Sequence, residues 1–289
     1  MIKGNSRPLD LLTVQQDGEP MLWSHLLFMW GLVADIDIES ERYRWAGSAR
    51  FTFSGVGRIL SLRKYKGKVT YLPWDRDAPP TKVVPNASGA APVSIFDTPL
   101  DTAAWKEVEG EFVHVMAMNT GWQSNDVFFA PFSAIDDGAI DLSWILKDDG
   151  TTKVKTRNML PMMLDTETPP LKKEFFAYTK VKAFTCEAHV ENGIFDVDGE
   201  VVPYKPVKIE NHYRLGRVLC HPALSLPEFP LTDLPVEGLH THAAKPMSVG
   251  GAGVGGGGGS SGGGAGVPAG GGSRRRGSAA AKILRVDNV

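Results

Sequence analysis

Residues 30–55 read WGLVADIDIESERYRWAGSARFTFSG, and this stretch says most about the fold and function of the chain. Its apolar start is typical of a buried strand, which we expect to run into the acids Asp35 and Asp37. Two helical segments follow and carry two arginines, Arg44 and Arg50. Guanidinium groups clustered in this way suit the binding of a multiply charged phosphate, so the stretch is a candidate functional site.

Composition limits the class of protein. The 289 residues fit one large domain or two small ones, and 42% hydrophobic residues are enough for a sizeable core. A formal net charge of -2 argues against nucleic-acid binding through net charge. Cys186 and Cys220 give no disulfide framework and no metal-ligand spacing, so we expect no metal site. Residues 21–38 are too short and too polar to span a bilayer.

The chain is expected to divide at residue 242. Residues 1–242 contain recurring apolar runs and form the predicted folded domain, with a flexible loop at 74–105 that is rich in Pro, Asp and Ala. Residues 243–289 contain a Gly/Ser tract that cannot bury enough apolar surface to offset backbone entropy, so we expect a disordered tail. Arg274–Arg276 and Ser278 in that tail suggest either a solvated segment, a lipid contact or a phosphorylation site.

Strands dominate the predicted domain. PLDLLTVQQDGEPMLW indicates two strands around an Asp17-Gly18 turn, and SHLLFMWGLVADID indicates one buried strand. Ser40 and Ser48 are expected to cap two helices, ERYRWAG, ending at Gly47, and ARFTFSGVGRILSLRK. On the second helix, Phe51, Ile59 and Leu62 can share one face, while Arg58 and Arg63 are expected to face water. The remaining strand candidates are YKGKVTYLP, EGEFVHVMAMN, DVFFAPF, IDLSWILK, KEFFAYTKVKAFTCEA, GIFDVDGEVV and PVKIENHYRLGRVLC.

These elements predict a mainly β (α+β) fold, an antiparallel β-sandwich-like sheet domain with a short helical cap. A parallel dinucleotide-binding fold is not favoured, because the strands do not alternate regularly with helices.

Several segments, spread over residues 7–219, resemble the sphingosine kinases, within the diacylglycerol-kinase-like lipid kinases. The resemblance rests on DIDIESERYR, GIFDVDGE, KYKGKVTYLP and VFFAPFSAIDDGAIDLSWI. It implies a lipid-kinase C-terminal domain in which Asp37 binds the polar head of a sphingoid base, and in which the cap binds lipid. The residues that it implies for the apolar lipid pocket are Leu32, Val33, Ile36 and Phe51, and Phe128, Leu160 and Met163 could line its far end. The residues that it implies for the nucleotide are Arg44, Arg50, Asp198 and Glu200.

The resemblance also implies ATP and Mg2+ as cofactors, a sphingoid base or related lipid as substrate, and transient contact with a membrane surface. We expect a cytoplasmic protein peripheral to intracellular or plasma membranes, with no nucleic acid partner and with homodimerisation open. The chain lacks the Gly-Gly-Asp-Gly or Ser-Gly-Asp-Gly phosphate loop of the family. We therefore expect the N-terminal domain with the catalytic base to be absent, and the chain alone to be inactive.

Alternatives remain at this point. A non-catalytic lipid-binding module, a ceramide or diacylglycerol kinase relative, or an incomplete gene model would each fit the sequence. Asp137 and its neighbours in Asp136-Asp137-Gly138 are interpreted as a solvated turn rather than a cation site. Val-Asp-Gly-Glu at Asp198–Glu200 also fits a simple hairpin turn, and Arg44 and Arg50 could instead pair with nearby glutamates.

Overall fold

The computed structural model describes most of the chain up to residue 247. The described residues are 5–47, 49–78, 94–97, 102–124, 127–148, 154, 158–159, 161, 165, 168–220, 235, 238–241 and 243–247. Ser48, Leu160, Met163, most of the loop predicted at 74–105 and the tail from residue 248 onward lie outside this part of the chain.

The described residues form eleven strands and two α-helices. The strands are β1 (Asn5–Gln15), β2 (Leu22–Ser24), β3 (Leu27–Gly31), β4 (Tyr65–Pro73), β5 (Lys106–Met118), β6 (Ile140–Leu146), β7 (Ala177–Ala188), β8 (Phe195–Val197), β9 (Glu200–Val202), β10 (Val207–Cys220) and β11 (Lys245–Pro246). The helices are α1 (Leu32–Ser40) and α2 (Ala49–Leu60), with 3-10 turns at Glu41–Ala46, Ile95–Asp97 and Pro170–Lys172.

All strand pairs are antiparallel and belong to one sheet. The order is β2-β1-β10-β7-β4-β5-β3-β8-β9, with β6 paired to both β5 and β7, and β11 paired to β5. Because β4 also pairs with both β5 and β7, the sheet curls around a shared interior. The prediction of a mainly β, antiparallel α+β fold with a sandwich-like sheet is therefore confirmed.

The sheet separates two apolar cores. Along β3, Phe28 and Trp30 point into the interior of the curled sheet, where most strands contribute side chains. Leu27 and Met29 point to the opposite face and pack with Leu32 of α1. This alternation follows from the two-residue period of a strand. The second core therefore lies beneath the helices, and it is the core that positions the candidate site.

The segment around Gly31 differs from the prediction. SHLLFMWGLVADID is not one strand: β3 ends at Gly31, and α1 begins at Leu32. Gly31 has φ +87°, and a Cβ there would lie 2.6 Å from the carbonyl oxygen of Val113 in β5. Only glycine permits both this backbone conformation and this approach. Gly31 thus ends the strand and starts a helix directly against the sheet.

Other local predictions have mixed outcomes. The turn at Asp17-Gly18 and the helical end at Gly47 are confirmed. Ser40 does not cap the turn at Glu41–Ala46, because its hydroxyl donates instead to the Asp37 carbonyl oxygen at 2.8 Å. DVFFAPF is not a regular strand, since Phe128 makes only an isolated bridge to Trp122.

Of the two arginines expected to face water, Arg63 is 48% exposed, whereas Arg58 is only 17% exposed. α2 ends at Leu60, so Leu62 and Arg63 lie beyond it. Arg58 is largely buried and pairs with Glu39, and Arg63 lies 3.2 Å from Asp35. These ion pairs tie α2 and the segment after it to α1. On the buried face, Ile59 packs in the second core.

The predicted solvated turn at Asp136-Asp137-Gly138 is instead neutralised by cations from the sheet. Asp137 is buried and lies 2.8 Å from the Lys180 ammonium, while Asp136 lies 3.0 Å from Arg214. Lys180 also pairs with buried Asp141 at 2.9 Å. A metal ion would have to displace these protein cations, so the paired acids serve to connect the turn to β6, β7 and β10.

β11 extends the sheet beyond the boundary expected at residue 242. Lys245 pairs with Glu107, and Pro246 pairs with Lys106, at the start of β5. Within the described part of the chain, no helix is long and apolar enough to cross a membrane.

Substitution of Gly31 tests the close approach that starts α1. Gly31→Ala should destabilise the protein by about 2 kcal/mol or more, because the added methyl group meets the Val113 carbonyl and the positive φ is strained. Gly57→Ala is the matched control, since Gly57 lies in α2 with open space around it. The control should raise stability by about 0.5–1 kcal/mol. Urea unfolding measures both, and equal effects of the two substitutions would contradict this account.

Candidate active site

An apolar cavity of about 330 Å³ lies between α1, α2, the end of β3 and the segment around Phe128. One helical face of α1 forms a wall, because Leu32, Val33, Ile36 and Asp37 follow the spacing that brings residues together on one side of a helix. Phe51 of α2 lies on another wall. All five residues predicted to bind the lipid therefore line one cavity, although their role in binding stays a prediction.

The far part of the cavity wall is also mostly apolar. Phe128, predicted there, does line the cavity, whereas Leu160 and Met163 lie outside the described residues. Additional wall residues not named from the sequence are Leu26, Leu27, Met29, Thr52, Ile59, Gln123, Ser124, Val127, Phe129, Met159, Asp165, Thr168, Pro170 and Gly199. An apolar cavity with few polar groups is typical of a site for a hydrophobic ligand.

Asp37 meets a second carboxyl group, that of Asp196 on β8. A side-chain hydrogen bond joins the two acids. Asp196 is 0% exposed, and its Oδ1 accepts from the Gly199 amide at 2.8 Å. Its Oδ2 has no donor among the described groups, as expected when two acceptors face each other without a proton between them. A proton between the two carboxyl groups would supply the missing donor.

Burial and repulsion explain where that proton resides. Desolvation and the nearby Asp37 charge raise the pKa of Asp196 to about 8. Desolvation also raises the pKa of Asp37, opposed by the bond to Asp196 and by the positive charge of Arg50. Two close carboxyl groups cannot both ionise easily, so they titrate as a pair. Both raised pKa values favour a protonated form of the pair over the doubly charged form beside the cavity.

Asp198 lies in the turn that follows β8, two residues after Asp196. With Gly199 it forms the two-residue turn between β8 and β9, and both residues have positive φ, 54° and 86°. The predicted hairpin is thus confirmed. The Asp198 carboxylate accepts from the Ser24 hydroxyl at 2.7 Å and from the Leu27 amide at 2.9 Å, and it lies 3.2 Å from the His25 ring. Burial would raise the pKa of Asp198, but these partners, His25 first, lower it below its ordinary value.

The four residues predicted to bind nucleotide are not all brought together. Arg44 and Arg50 share one partner, because both pair with Glu41, Arg44 at 3.1 Å. Arg44 is 78% exposed, whereas Arg50 is mostly buried and its charge reaches Asp37. Asp198 lines the cavity, but its carboxylate is held by the residues before β3. Glu200 is exposed on β9, and its role is untested.

The opposite face of α1 carries a separate ion cluster. Asp35 is buried and accepts from the Tyr65 hydroxyl of β4, with Arg63 at 3.2 Å. Glu39 pairs with Arg58 of α2. Asp35 and Asp37 therefore have different surroundings: guanidinium groups neutralise Asp35 under α2, while Asp37 faces the cavity.

Asp196 is the site residue that the sequence interpretation missed. It lies in the quoted GIFDVDGE segment, but only Asp198 and Glu200 were assigned there. The available signal was an acid in a strand that is otherwise apolar, because Phe195 and Val197 on either side are core residues. A buried acid in such a strand requires a partner.

No group of three or more His, Cys, Asp or Glu side chains among the described residues is placed to hold a metal ion. For a nucleotide the donor set fits better, since Arg44 and Arg50 would present two guanidinium groups to phosphate oxygens. An anionic phosphate would compete with Glu41 for both of them.

Known proteins are similar to this chain in sequence and in fold. Sphingosine kinase 1 of Arabidopsis thaliana is 35% identical over 217 residues, covering 70% of this chain and 43% of the relative. Sphingosine kinase 1 of Homo sapiens is 30% identical over 209 residues, covering 71% of this chain and 54% of the relative. A crystal structure from Bacillus anthracis str. Sterne, of a protein proposed to be a diacylglycerol kinase, matches with a TM-score of 0.50 and 16% identity, over 76% of this chain and 59% of that chain. No family model matches the chain.

The fold is similar to that of this diacylglycerol-kinase-like structure, and in the present chain the helices of the β-sheet domain cover an apolar cavity. The matched region, about 70% of this chain, is homologous to the sphingosine kinases. The match spans about half the length of these relatives, 43% of one and 54% of the other.

Stability at different pH values tests the shared proton. Between the ordinary aspartate pKa of 3.8 and the raised pKa of about 8, folded Asp196 keeps a proton that the unfolded chain has released. Folding therefore becomes less favourable as pH rises through this window, by up to about 1.4 kcal/mol per pH unit. Asp196→Asn removes this titration, so the variant should gain stability relative to wild type from pH 4 to pH 8.

Urea unfolding at several pH values gives the measurement. Asp17→Asn is the control, because the Asp17 side chain is 98% exposed and the same chemical change there should leave the pH slope unaltered. A constant difference between wild type and Asp196→Asn across the window would contradict a raised pKa at this position.

Proposed function

We propose that this chain supplies the lipid-binding part of a sphingosine kinase, which transfers phosphate from ATP to the primary hydroxyl of a sphingoid base. The observation that carries the proposal is a mostly apolar cavity whose wall includes the carboxylate of Asp37. A sphingoid base has the complementary chemistry: a long alkyl chain and, at one end, an ammonium and hydroxyl groups.

The two parts of such a ligand would be bound by different forces. Each methylene buried against Leu32, Val33 or Ile36 contributes about 0.8 kcal/mol. The ammonium and hydroxyl would donate to the Asp37 carboxylate, and charge-assisted bonds of this kind contribute about 1.5–3 kcal/mol when shielded from water. The alkyl chain thus supplies affinity, while Asp37 favours an amine over a neutral lipid such as ceramide or diacylglycerol.

The phosphate end of the reaction would lie beside Arg50. The charge of Arg50 already acts on Asp37, and Arg50 shares Glu41 with Arg44. An ATP phosphate that displaced Glu41 would gain both guanidinium groups close to the headgroup. Phosphoryl transfer depends on such positioning and charge neutralisation, and Mg2+ bound with the nucleotide would add to that neutralisation. Asp198 and Glu200 complete the proposed nucleotide side, with Asp198 acting through the turn that it holds.

Transient membrane contact is part of the same proposal, because the substrate resides in a bilayer. The helical segments present large exposed apolar side chains beside the cavity: Trp45 is 83% exposed, Phe53 is 61% exposed and Leu60 is 72% exposed. Such residues support insertion among lipid headgroups, from which a sphingoid base could enter the site.

Substitution of Asp37 tests the headgroup assignment. Asp37→Asn should weaken sphingosine binding at neutral pH by about tenfold or more, because the amide cannot pair with the ammonium as a charge. Binding of N-acetylsphingosine, which lacks the charge, should change less than about twofold. Equilibrium binding of radiolabelled lipid to the purified protein measures both.

Asp17→Asn again provides the matched control, and it should bind both lipids like wild type. Equal losses for sphingosine and its N-acetyl derivative would mean that Asp37 does not recognise the amine. Absence of saturable sphingosine binding by the wild-type protein would overturn the proposed function itself.

A kinase assay tests whether this chain alone has kinase activity. With sphingosine and radiolabelled Mg-ATP, we expect turnover indistinguishable from background, because these 289 residues contain no Gly-Gly-Asp-Gly or Ser-Gly-Asp-Gly phosphate loop. Loss of a general base alone commonly lowers rates by about 10²–10⁴-fold. The same preparation must bind sphingosine, which shows that it is folded. Robust formation of sphingosine phosphate would contradict this expectation.

A further inference from the structure

We propose that Asp196 is a positioning residue for the headgroup site, which shares one proton with Asp37 and so sets the charge that the cavity presents. This inference deepens the proposed function and rests on it, since it concerns how the same site recognises an amine. Asp196 itself does not line the cavity; it acts through Asp37, which does.

One carboxyl oxygen of Asp196 has no hydrogen-bond donor among the described groups. Its strand partners are Met29 of β3 and Val201 of β9, neither of which is charged. Its Oδ1 is bound to the Gly199 amide, while its fully buried Oδ2 has no donor among the described groups. A buried carboxyl oxygen without a donor is costly, and the Asp37 carboxyl is the side chain that faces it. A shared proton resolves this cost.

The charged groups around the pair are few and come from each neighbouring element. Arg50 of α2 lowers the pKa of Asp37, whereas Glu41, in the turn after α1, raises it. Asp198, in the turn after β8, adds repulsion at Asp196, but it is itself paired with His25. Among the described groups that act on Asp37, Arg50 is the one cation, and it is bound to Glu41. The proton of the pair is therefore the remaining means of adjusting the charge beside the cavity.

Two consequences follow for lipid binding. Below about pH 8 the protonated Asp196 donates to Asp37, which fixes its carboxylate and leaves one negative charge for one ammonium. Above that pH the pair loses its last proton and attracts a cation more strongly. Conversely, a bound ammonium stabilises the doubly charged pair, so binding of an amine favours release of the proton. A neutral lipid has neither effect.

The variants separate proton sharing from simple packing. Asn at position 196 can donate to Asp37 and accept from the Gly199 amide, but it cannot ionise. We expect Asp196→Asn to bind sphingosine like wild type, within about threefold, at pH 6–7, where both sites carry one charge. At pH 9 wild type should bind about tenfold more tightly than Asp196→Asn, if the ammonium shifts the pKa of the pair by about one unit. Titration of the amine itself is common to both proteins and cancels in the ratio.

Asp196→Ala provides the second comparison. It removes the bond to Asp37, so sphingosine affinity at pH 6–7 should fall by about tenfold, and Asn in place of Ala should restore it. A ratio of wild type to Asp196→Asn that is the same at every pH would overturn the inference. Loss of binding at pH 6–7 in Asp196→Asn, equal to that in Asp196→Ala, would also overturn it.

A lipid-free measurement distinguishes this inference from the proposed function. Carbon-13 NMR of aspartate carboxyl groups should detect a group that titrates near pH 8 in wild type and is missing in both Asp196→Asn and Asp37→Asn. Absence of that titration in wild type would reject the shared proton even if sphingosine binds. Its presence in a protein that fails to bind sphingosine would support the shared proton and reject the proposed substrate.

Discussion

The close approach of Gly31 to β5 is the constraint on which the site depends. Because the backbone of Gly31 lies against the Val113 carbonyl, α1 starts at the sheet surface with no connecting loop. The register of α1 is thereby fixed relative to β3 and β8. One helical face, with Ile36 and Asp37, is directed to the cavity, and the opposite face, with Asp35, is directed to β4. A shift by one residue would rotate α1 by about 100° and remove both acids from these environments.

That register determines which acid remains available to a ligand. Asp35 and Asp37 are two positions apart in the same helix, and both lie near arginines. Tyr65 and Arg63 both contact Oδ2 of Asp35, which therefore joins α1 to β4 and serves stability. Asp37 meets Asp196, an acid, and the result is a carboxylate pair that keeps a net negative charge near an apolar wall. The same residue type thus has a structural role on one face and, in the proposed function, a recognition role on the other.

The sequence predicted the sheet better than the helical cap, for physical reasons. The segment Tyr65–Pro73 was predicted to the residue, because alternation and flanking residues identify a strand locally. The apolar run after β3 was misread because a continuous apolar stretch does not distinguish a strand from a buried helix. Only the tertiary contact of Gly31 with β5 decides the outcome. The cavity residues Leu32, Val33 and Phe51 came from the family resemblance, whereas Asp196 was missed because its partner lies far away in the sequence.

Arg50 connects the cavity, where Asp37 and Phe51 lie, with the ion pairs of Glu41. It lies 4.5 Å from the centre of the Phe51 ring, which lines the cavity, and its charge lowers the pKa of Asp37. It is also held by Glu41, which in turn holds Arg44. An anion that draws Arg50 away from Glu41 would leave Glu41 free and reduce the positive charge felt by Asp37. Since Asp196 shares its proton with Asp37, the proton affinity of the carboxyl pair would rise. Phosphate binding and amine binding would therefore be coupled electrostatically, with no movement of the sheet required.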